Sequence, residues 1–201
     1  MNMSMFCPLR FVMFASLLSS LPASVLALEK DIFYVGVDAS HVWFTEFEDD
    51  TPAYLARVGI RPSRYYALEI GQLAFFDMRN RFNNDAGDVV DMRIKDGGVF
   101  SLSVLGTYPL GRRLSVQGRL GLSLWSVFYE LESSAFPGVV TNRKDDDRGI
   151  SAGVGLTYDL NKVIGIHGGL DYFSYQPSIP PHDDGRETVP AVSLGITVRP
   201  L

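Results

Sequence analysis

The sequence predicts an all-β fold, an eight-stranded antiparallel up-and-down transmembrane β-barrel, with short turns at one end and long loops at the other. Apolar residues alternate with small or polar residues over eight segments, which is the side-chain period of a β-strand. Each segment is close to or above the roughly 9–11 residues that a tilted strand needs to cross a bilayer. The connections alternate between tight turns and longer polar loops, as in transmembrane barrels.

The segment 1–27 is predicted to be a signal peptide that is removed. Arg10 precedes the apolar run FVMFASLLSSL, which has signal-peptide length and is too short to span a bilayer, and Ala27 places a small residue before the cut. Cys7 is the one cysteine and leaves with this segment, so residues 28–201 can form no disulfide. These remaining residues are expected to form a single barrel domain. The whole chain has 18 basic and 23 acidic residues, a net charge of −5.

The stretch GISAGVGLTYDLNKVIGIHGGLDYFSY, from Gly149 to Tyr175, shows the strand pattern most clearly. The residues DLNK separate two strands, each with one oily face, and the other face of the first strand consists of glycine, serine and threonine. Glycine and serine suit a crowded interior better than a solvated surface, so we interpret the oily face as the one that meets lipid. The predicted strands are 31–44, 53–61, 64–76, 98–108, 114–129, 149–159, 162–175 and 189–199.

The connections between these strands fall into two classes by length. The tight turns are RPSR at 61–64, PLGRR at 109–113 and DLNK at 159–162. The longer polar loops are 45–52, 77–97, 130–148 and 176–188. A soluble β-sandwich would not be expected to sort its loops by length in this way.

Aromatic residues at both ends of the oily face predict the two interfacial girdles of a membrane barrel. Tyrosine and tryptophan favour the headgroup region because part of the ring system is apolar and one edge is polar. Away from the ends of the predicted strands, no lysine, arginine, aspartate or glutamate falls on this face. The predicted girdle residues are Trp43, Tyr66, Phe76, Tyr108, Phe128, Tyr158 and Tyr172.

The charged residues of the strands fall instead on the inward face. Arg57, Glu69, Arg119 and His167 are predicted to form an ion-pair network in the lumen, because a buried charge needs a partner. If the 61–64 turn centres on Ser63, Arg57 and Glu69 lie directly opposite each other. An eight-stranded barrel has an interior that side chains just fill, so we expect no open pore. The other inward charges are Asp38, Asp171 and Arg199.

The tight turns, the long loops and GVGLTYDLNKVIGIHGGLDYF resemble the small eight-stranded outer-membrane barrels of the outer-membrane protein A and opacity-protein superfamily. The ending SLGITVRPL is similar to the C-terminal strand signal of such barrels. Ser193, Gly195 and Val198 stand at its polar, glycine and hydrophobic positions, and Leu201 replaces the usual terminal aromatic residue. The resemblance implies an outer-membrane location, periplasmic turns, extracellular loops and recognition of strand 189–201 by the barrel-assembly machinery.

No catalytic residue and no cofactor are expected. A hydrolase needs a nucleophile within hydrogen-bond reach of a base. However, Ser40 and His41 point to opposite faces, His167 has no serine two positions on, and His182 lies in a proline-rich loop. We expect a monomeric protein with a structural or surface-interaction, adhesin-like role. Two alternatives remain, a deacylase-like barrel enzyme that modifies lipid A and a periplasmic lipocalin-like binding barrel with an apolar lumen.

The long loops carry the most uneven charge of the chain, with 17 acidic and eight basic residues and a net charge of −9. Acidic loops repel phosphate, so a nucleic-acid partner is not expected. The expected partners are outer-membrane lipids, lipopolysaccharide and a host or surface ligand at the loops. Asp145, Asp146 and Asp147 in RKDDDR are candidates for holding Ca²⁺ or Mg²⁺ against lipopolysaccharide phosphates, since hard cations take oxygen ligands. The alternative is that these charges only keep the loops soluble.

Overall fold

The computed structural model describes residues 32–44, 50–83, 87–135, 138–176 and 186–199. The strands are β1 (Phe33–Val42), β2 (Thr51–Ser63), β3 (Tyr66–Asn83), β4 (Val89–Pro109), β5 (Leu114–Ser133), β6 (Val140–Asp159), β7 (Ile164–Tyr175) and β8 (Glu187–Val198). They form a closed antiparallel barrel in chain order, in which β1 pairs with both β2 and β8. The predicted fold class is confirmed. The predicted signal peptide 1–27 and the last two residues, 200 and 201, lie outside the described residues.

The barrel surface that faces away from the lumen is apolar over the middle of every strand. Leucine, isoleucine and valine side chains alternate outward with a period of two, while the intervening residues are buried in the lumen. Charged residues appear on the outward face where this belt ends, as at Glu130 on β5 and Arg148 on β6. The exposed apolar belt includes Leu102, Val104, Leu120, Leu122, Val154, Leu156, Leu194 and Ile196. Among the described residues, no helix is long and apolar enough to cross a membrane.

Two of the predicted long loops, 77–97 and 130–148, are largely strand in the structure. The strand β3 continues to Asn83 and β4 begins at Val89, while β5 continues to Ser133 and β6 begins at Val140. The prediction was wrong there because it took polar composition as a sign of loop. Beyond the lipid a strand no longer needs an apolar face, so its sequence loses the pattern that marks a membrane strand.

An irregularity in β4 separates the part of the strand within the apolar belt from the part that extends beyond the belt toward Val89. The pairing of β4 with β5 shifts register between Ile94 and Asp96, which leaves Lys95 as an extra residue. An extra residue reverses which side chains face inward. Val99 is therefore buried below the shift and Ile94 is buried above it. The bulge therefore keeps apolar side chains facing the lumen on both sides of the shift. Odd-numbered residues such as Val99 point inward on one side, and even-numbered residues such as Ile94 point inward on the other.

Two glycines on the inner wall make room for large aromatic rings. A Cβ atom added to Gly97 would lie 2.2 Å from the ring of Phe75, and one added to Gly59 would lie 2.2 Å from the ring of Tyr34. Both rings are buried in the lumen. Any side chain at these positions would have to displace a ring, which a small barrel with a filled interior resists.

Leu122→Arg is expected to lower the free energy of unfolding in lipid vesicles by about 2–4 kcal/mol, the cost of a charge near the bilayer midplane. Leu122 is 64 % exposed on the outward face of β5. The matched control is Leu110→Arg, because Leu110 is 56 % exposed in a short turn, where arginine meets water. Urea unfolding followed by tryptophan fluorescence measures both. Equal losses for the two variants would contradict the assignment of the lipid-facing side.

Candidate functional site

The part of the lumen nearer the short turns is filled by an ionic layer of buried charged side chains. Arg57 Nη2 donates a hydrogen bond to Asp38 Oδ1 at 2.7 Å and lies 2.9 Å from His167 Nδ1. Arg119 donates to Asp171 Oδ1 at 2.5 Å from the other side of the lumen. Asp38, Arg57, His167 and Asp171 are all almost fully buried. The strands β1, β2, β5 and β7 thus contribute to one network.

Glu69 on β3 joins the two halves of this ionic layer. Its carboxylate lies 3.0 Å from Arg119 Nη2 and 3.9 Å from Arg57 Nη1, and it accepts a hydrogen bond of 2.8 Å from Tyr34 Oη. Glu69 itself is buried. Three carboxylates and two guanidinium groups therefore compensate one another within a few ångströms, which a low-dielectric interior requires.

The structure brings together the four residues predicted for the lumen, Arg57, Glu69, Arg119 and His167, but with a different register. Arg57 pairs with Gly71 across β2 and β3, and Glu69 pairs with Gly59, so the two charges are not directly opposite. The turn centres further along the chain than Ser63, and the pairing shifts register between Ile60 and Ser63. The closest basic partner of Glu69 is consequently Arg119 on β5, a strand that does not pair with β3.

The sequence prediction did not include Tyr34, whose hydroxyl donates a hydrogen bond to the Glu69 carboxylate beside the two arginines. The inward parity of Tyr34 on β1 was available as a signal. Its partnership with Glu69 was not, because it depends on how β1, β2 and β3 curve around the lumen. Asp38 and Asp171 carry inward parity as well, and the structure adds both to the network.

The part of the lumen nearer the long loops is filled by an aromatic layer. Trp125 is at its centre, with ring centroids 6.2 Å from Phe75, 6.2 Å from Phe173 and 4.8 Å from Tyr175. Its indole Nε1 donates to the Ser174 carbonyl at 3.0 Å, so the buried polar atom is satisfied. The sequence prediction for the lumen named charges and not these rings. Their inward parity in three different strands was the signal that could have indicated the layer.

Five of the predicted girdle residues are exposed on the outward face, namely Trp43, Tyr66, Tyr108, Tyr158 and Tyr172. The three tyrosines Tyr66, Tyr108 and Tyr158 stand beside the short turns. Phe76 and Phe128 are only partly exposed and lie within strands that continue beyond them. The Lys144 ammonium sits 5.6 Å from the Phe128 ring centroid, which marks Phe128 as the border between apolar belt and charged surface.

Asp145, Asp146 and Asp147 lie on strand β6 and not in a loop. Successive strand residues point to opposite faces, so Asp146 points outward while its two neighbours point inward. Asp145 accepts a hydrogen bond from Tyr175 Oη, and Asp147 accepts one from the backbone N–H of Gln176 at 2.7 Å. The three carboxylates therefore do not converge, and the described part of the chain contains no cluster of three or more potential metal-ligating residues.

His41 forms the most enzyme-like contact of the outward face. Its Nε2 lies 2.7 Å from Asp50 Oδ2, and its ring packs edge-on against Trp43 with centroids 4.7 Å apart. A hydrolase of this kind would also need a nucleophile beside the imidazole. Within the described residues His41 has no hydroxyl partner, and the Ser40 hydroxyl points away to donate to the Val192 carbonyl at 3.0 Å. The arrangement holds an acid–base pair without a nucleophile.

A family model described as the outer membrane protein beta-barrel domain matches residues 13–197. The chain belongs to the outer membrane protein beta-barrel domain family. This confirms the family that the sequence resembles and identifies the chain as an outer-membrane β-barrel protein. The ionic and aromatic layers described above are therefore the lumen of an outer-membrane barrel, and the apolar belt is its lipid-facing surface.

Solved structures with the same fold include other outer membrane protein beta-barrels. Neisserial surface protein A is 14 % identical, with a TM-score of 0.56 over 83 % of this chain and 96 % of that chain. OprG from Pseudomonas aeruginosa is 12 % identical, with a TM-score of 0.53 over 85 % and 96 %. Ail, the attachment invasion locus protein of Yersinia pestis in complex with the heparin analogue sucrose octasulfate, is 14 % identical, with a TM-score of 0.50 over 83 % and 95 %. No curated protein matches the chain in sequence.

Double-mutant cycles in the lumen should show stronger coupling of Glu69 with Arg119 than with Arg57, because the first pair is separated by 3.0 Å and the second by 3.9 Å. Glu69→Gln alone should lower the free energy of unfolding by roughly 3–5 kcal/mol, since a buried arginine loses a partner. Urea unfolding of single and double variants with Arg119→Gln and Arg57→Gln gives both coupling energies. Additive losses for Glu69 and Arg119 would contradict the network.

The two filled layers predict that this outer membrane protein beta-barrel conducts no ions. Purified protein in planar bilayers should give no step-like conductance, because the ionic and aromatic layers occupy the lumen in series. A porin from the same host, measured in the same bilayer, is the positive control. Reproducible single-channel steps would contradict the closed lumen.

Proposed function

We propose that this protein is a non-catalytic surface-interaction protein of the outer membrane, adhesin-like in role, whose extracellular strands contact a protein partner. The observation that supports the proposal is a sheet that continues past the apolar belt above a filled lumen. Its residues are 78–83, 89–95, 129–133 and 140–147, and we name it the projecting sheet. By the usual asymmetry of outer-membrane barrels, the end with long connections faces the cell exterior.

The projecting sheet is a continuous four-stranded structure. The strands β3 and β4 pair as far as Asn83 and Val89, and β5 and β6 pair as far as Glu132 and Val140. At about 3.3 Å per residue, the longest of these segments, the eight residues 140–147, adds about 26 Å of strand beyond the belt. Strands of that length are not needed to cross the membrane, so they are available for contact.

Ion pairs compensate most of the charge on the outer face of the projecting sheet. Arg81 Nε lies 2.7 Å from Asp91 Oδ1, and this hydrogen bond lowers the pKa of the Asp91 carboxyl. Lys95 Nζ lies 2.6 Å from Glu130 Oε1. The four segments together contain six basic and six acidic residues, so the sheet is neutral although the loops predicted from the sequence are acidic. A neutral, ion-paired face favours a protein partner over a polyanion such as the heparin analogue in the Ail complex.

The tips and the edges of the projecting sheet leave groups available for contact. Val139 and Val140 at the start of β6 are 59 % and 47 % exposed, and Val89 at the start of β4 is exposed as well. Among the described strands, residues 140–147 pair with β5 alone and residues 78–83 pair with β4 alone. An unpaired strand edge can accept an extended segment of another protein. Apolar tips next to open edges therefore support binding of a polypeptide.

The two alternative functions have less support in the geometry. A lipid A-modifying enzyme would need a nucleophile beside the outward-facing pair of His41 and Asp50, and the hydroxyl of Ser40 is directed elsewhere. A lipocalin-like binder would need an apolar cavity, whereas charged side chains fill one half of the lumen and packed rings fill the other.

Val139→Ser with Val140→Ser is expected to reduce adhesion of bacteria that express the protein to cultured epithelial cells by about tenfold, because exposed apolar tips supply contact area. The matched control is Leu110→Ser with Leu160→Ser, since both leucines are exposed in short turns at the opposite end. Counts of bound bacteria measure the effect.

Folding is controlled in this comparison by checking that both variants migrate like the wild type before and after boiling. A folded barrel in the outer-membrane fraction should change its migration on boiling. Equal adhesion of the tip variant and the wild type would contradict contact through the tips of the projecting sheet.

A further inference from the structure

The end of the barrel opposite the projecting sheet contains a cavity of about 800 Å³. The three short turns, the start of β1 and the end of β8 surround it. It therefore opens at the mouth of the lumen and not on the lipid-facing wall. By the asymmetry of outer-membrane barrels, this mouth faces the periplasm. Its basic lining residues are Arg61, Arg64, Arg112, Arg113, Lys162 and Arg199, and we name this group the basic mouth.

The basic mouth carries a large uncompensated positive charge. Among the described residues that line the cavity, Asp159 is the single acidic one, which gives these lining residues a net charge of +5. Asp159 is already engaged, because its Oδ1 accepts a hydrogen bond of 2.7 Å from Arg199 Nη2. In the described part of the chain, the other five basic residues have no carboxylate within ion-pair distance.

Arg61 is held in position at the inner edge of the basic mouth. Its guanidinium lies over the ring of Tyr34, 5.5 Å from the ring centroid, and the Tyr34 hydroxyl is bound to Glu69 in the ionic layer. The Arg61 Nε atom is buried and has no hydrogen-bond partner within the described residues. A buried donor without a partner is costly unless a ligand or water satisfies it.

We propose that the basic mouth binds a phosphate-bearing anion on the periplasmic side of the outer membrane. Arginine predominates in the lining, and its planar guanidinium matches the oxygens of phosphate with two parallel hydrogen bonds. An excess of five positive charges among the described lining residues favours a ligand with several negative charges. This site is separate from the surface-interaction role, because the projecting sheet is neutral and lies at the other end of the barrel.

Two sources can supply this chemistry, the phosphate of an anionic phospholipid headgroup and a soluble oligophosphate in the periplasm. A headgroup would approach from the rim, where Arg64, Arg112 and Lys162 are exposed in the turns. A soluble oligophosphate would enter the cavity itself and also reach Arg61.

Inorganic tripolyphosphate is the probe for the soluble source. It is titrated by calorimetry into the full mature chain in phosphatidylcholine nanodiscs, with citrate as a carboxylate comparator. Arg112→Gln with Arg113→Gln should weaken tripolyphosphate binding by about tenfold, because charge-assisted contacts are lost. The matched control is Arg79→Gln with Arg148→Gln, since both arginines are exposed at the other end, and it should change binding less than twofold.

The phospholipid source is tested with nanodiscs that contain phosphatidylglycerol. If a headgroup is the ligand, native mass spectrometry should detect retained phosphatidylglycerol on wild type and control and less on the Arg112→Gln, Arg113→Gln variant. Arg61→Gln should weaken tripolyphosphate binding but not retention of the lipid. Equal behaviour of mouth and control variants with both probes, or citrate binding as tight as tripolyphosphate binding, would overturn the proposal.

Discussion

Closure of the sheet between β1 and β8 is the constraint on which the rest of the structure depends. A bilayer offers no water to hydrogen-bond the backbone, so an open sheet edge within it would leave polar groups unsatisfied. Eight residue pairs, from Val35 with Val198 to Val42 with Ala191, remove that edge. Closing eight strands also sets a narrow lumen, and a narrow lumen has to be filled by side chains.

Two different kinds of side chain fill the lumen along its length, charged groups in one part and aromatic rings in the other. In the ionic layer each charge is compensated by others from strands across the barrel, as Glu69 is by Arg119 and by the hydroxyl of Tyr34. In the aromatic layer, rings such as Trp125 pack against one another, and Gly97 gives space to Phe75. Both layers exclude an open channel while burying groups that would be costly to leave unpaired.

The two ends of the barrel differ in chemistry because the strands continue beyond the lipid at one end and stop in short turns at the other. At one end the strands continue as a neutral, ion-paired sheet with apolar tips. At the other they stop in short turns whose arginines and lysine line a cavity and, among the described residues, have no carboxylate within ion-pair distance. Side chains fill the interior between them, so the two ends present two separate surfaces.

The sequence by itself determined the number of strands, the direction of each face and the short turns, because period-two alternation and turn length are local properties. It also indicated that Arg57, Glu69, Arg119 and His167 point inward. Only the tertiary structure decided their partners, because partners across a closed lumen depend on register and curvature. It also decided that 77–97 and 130–148 are largely strand. Beyond the lipid, pairing with a neighbouring strand stabilises an extended chain without requiring the apolar alternation from which strands are read.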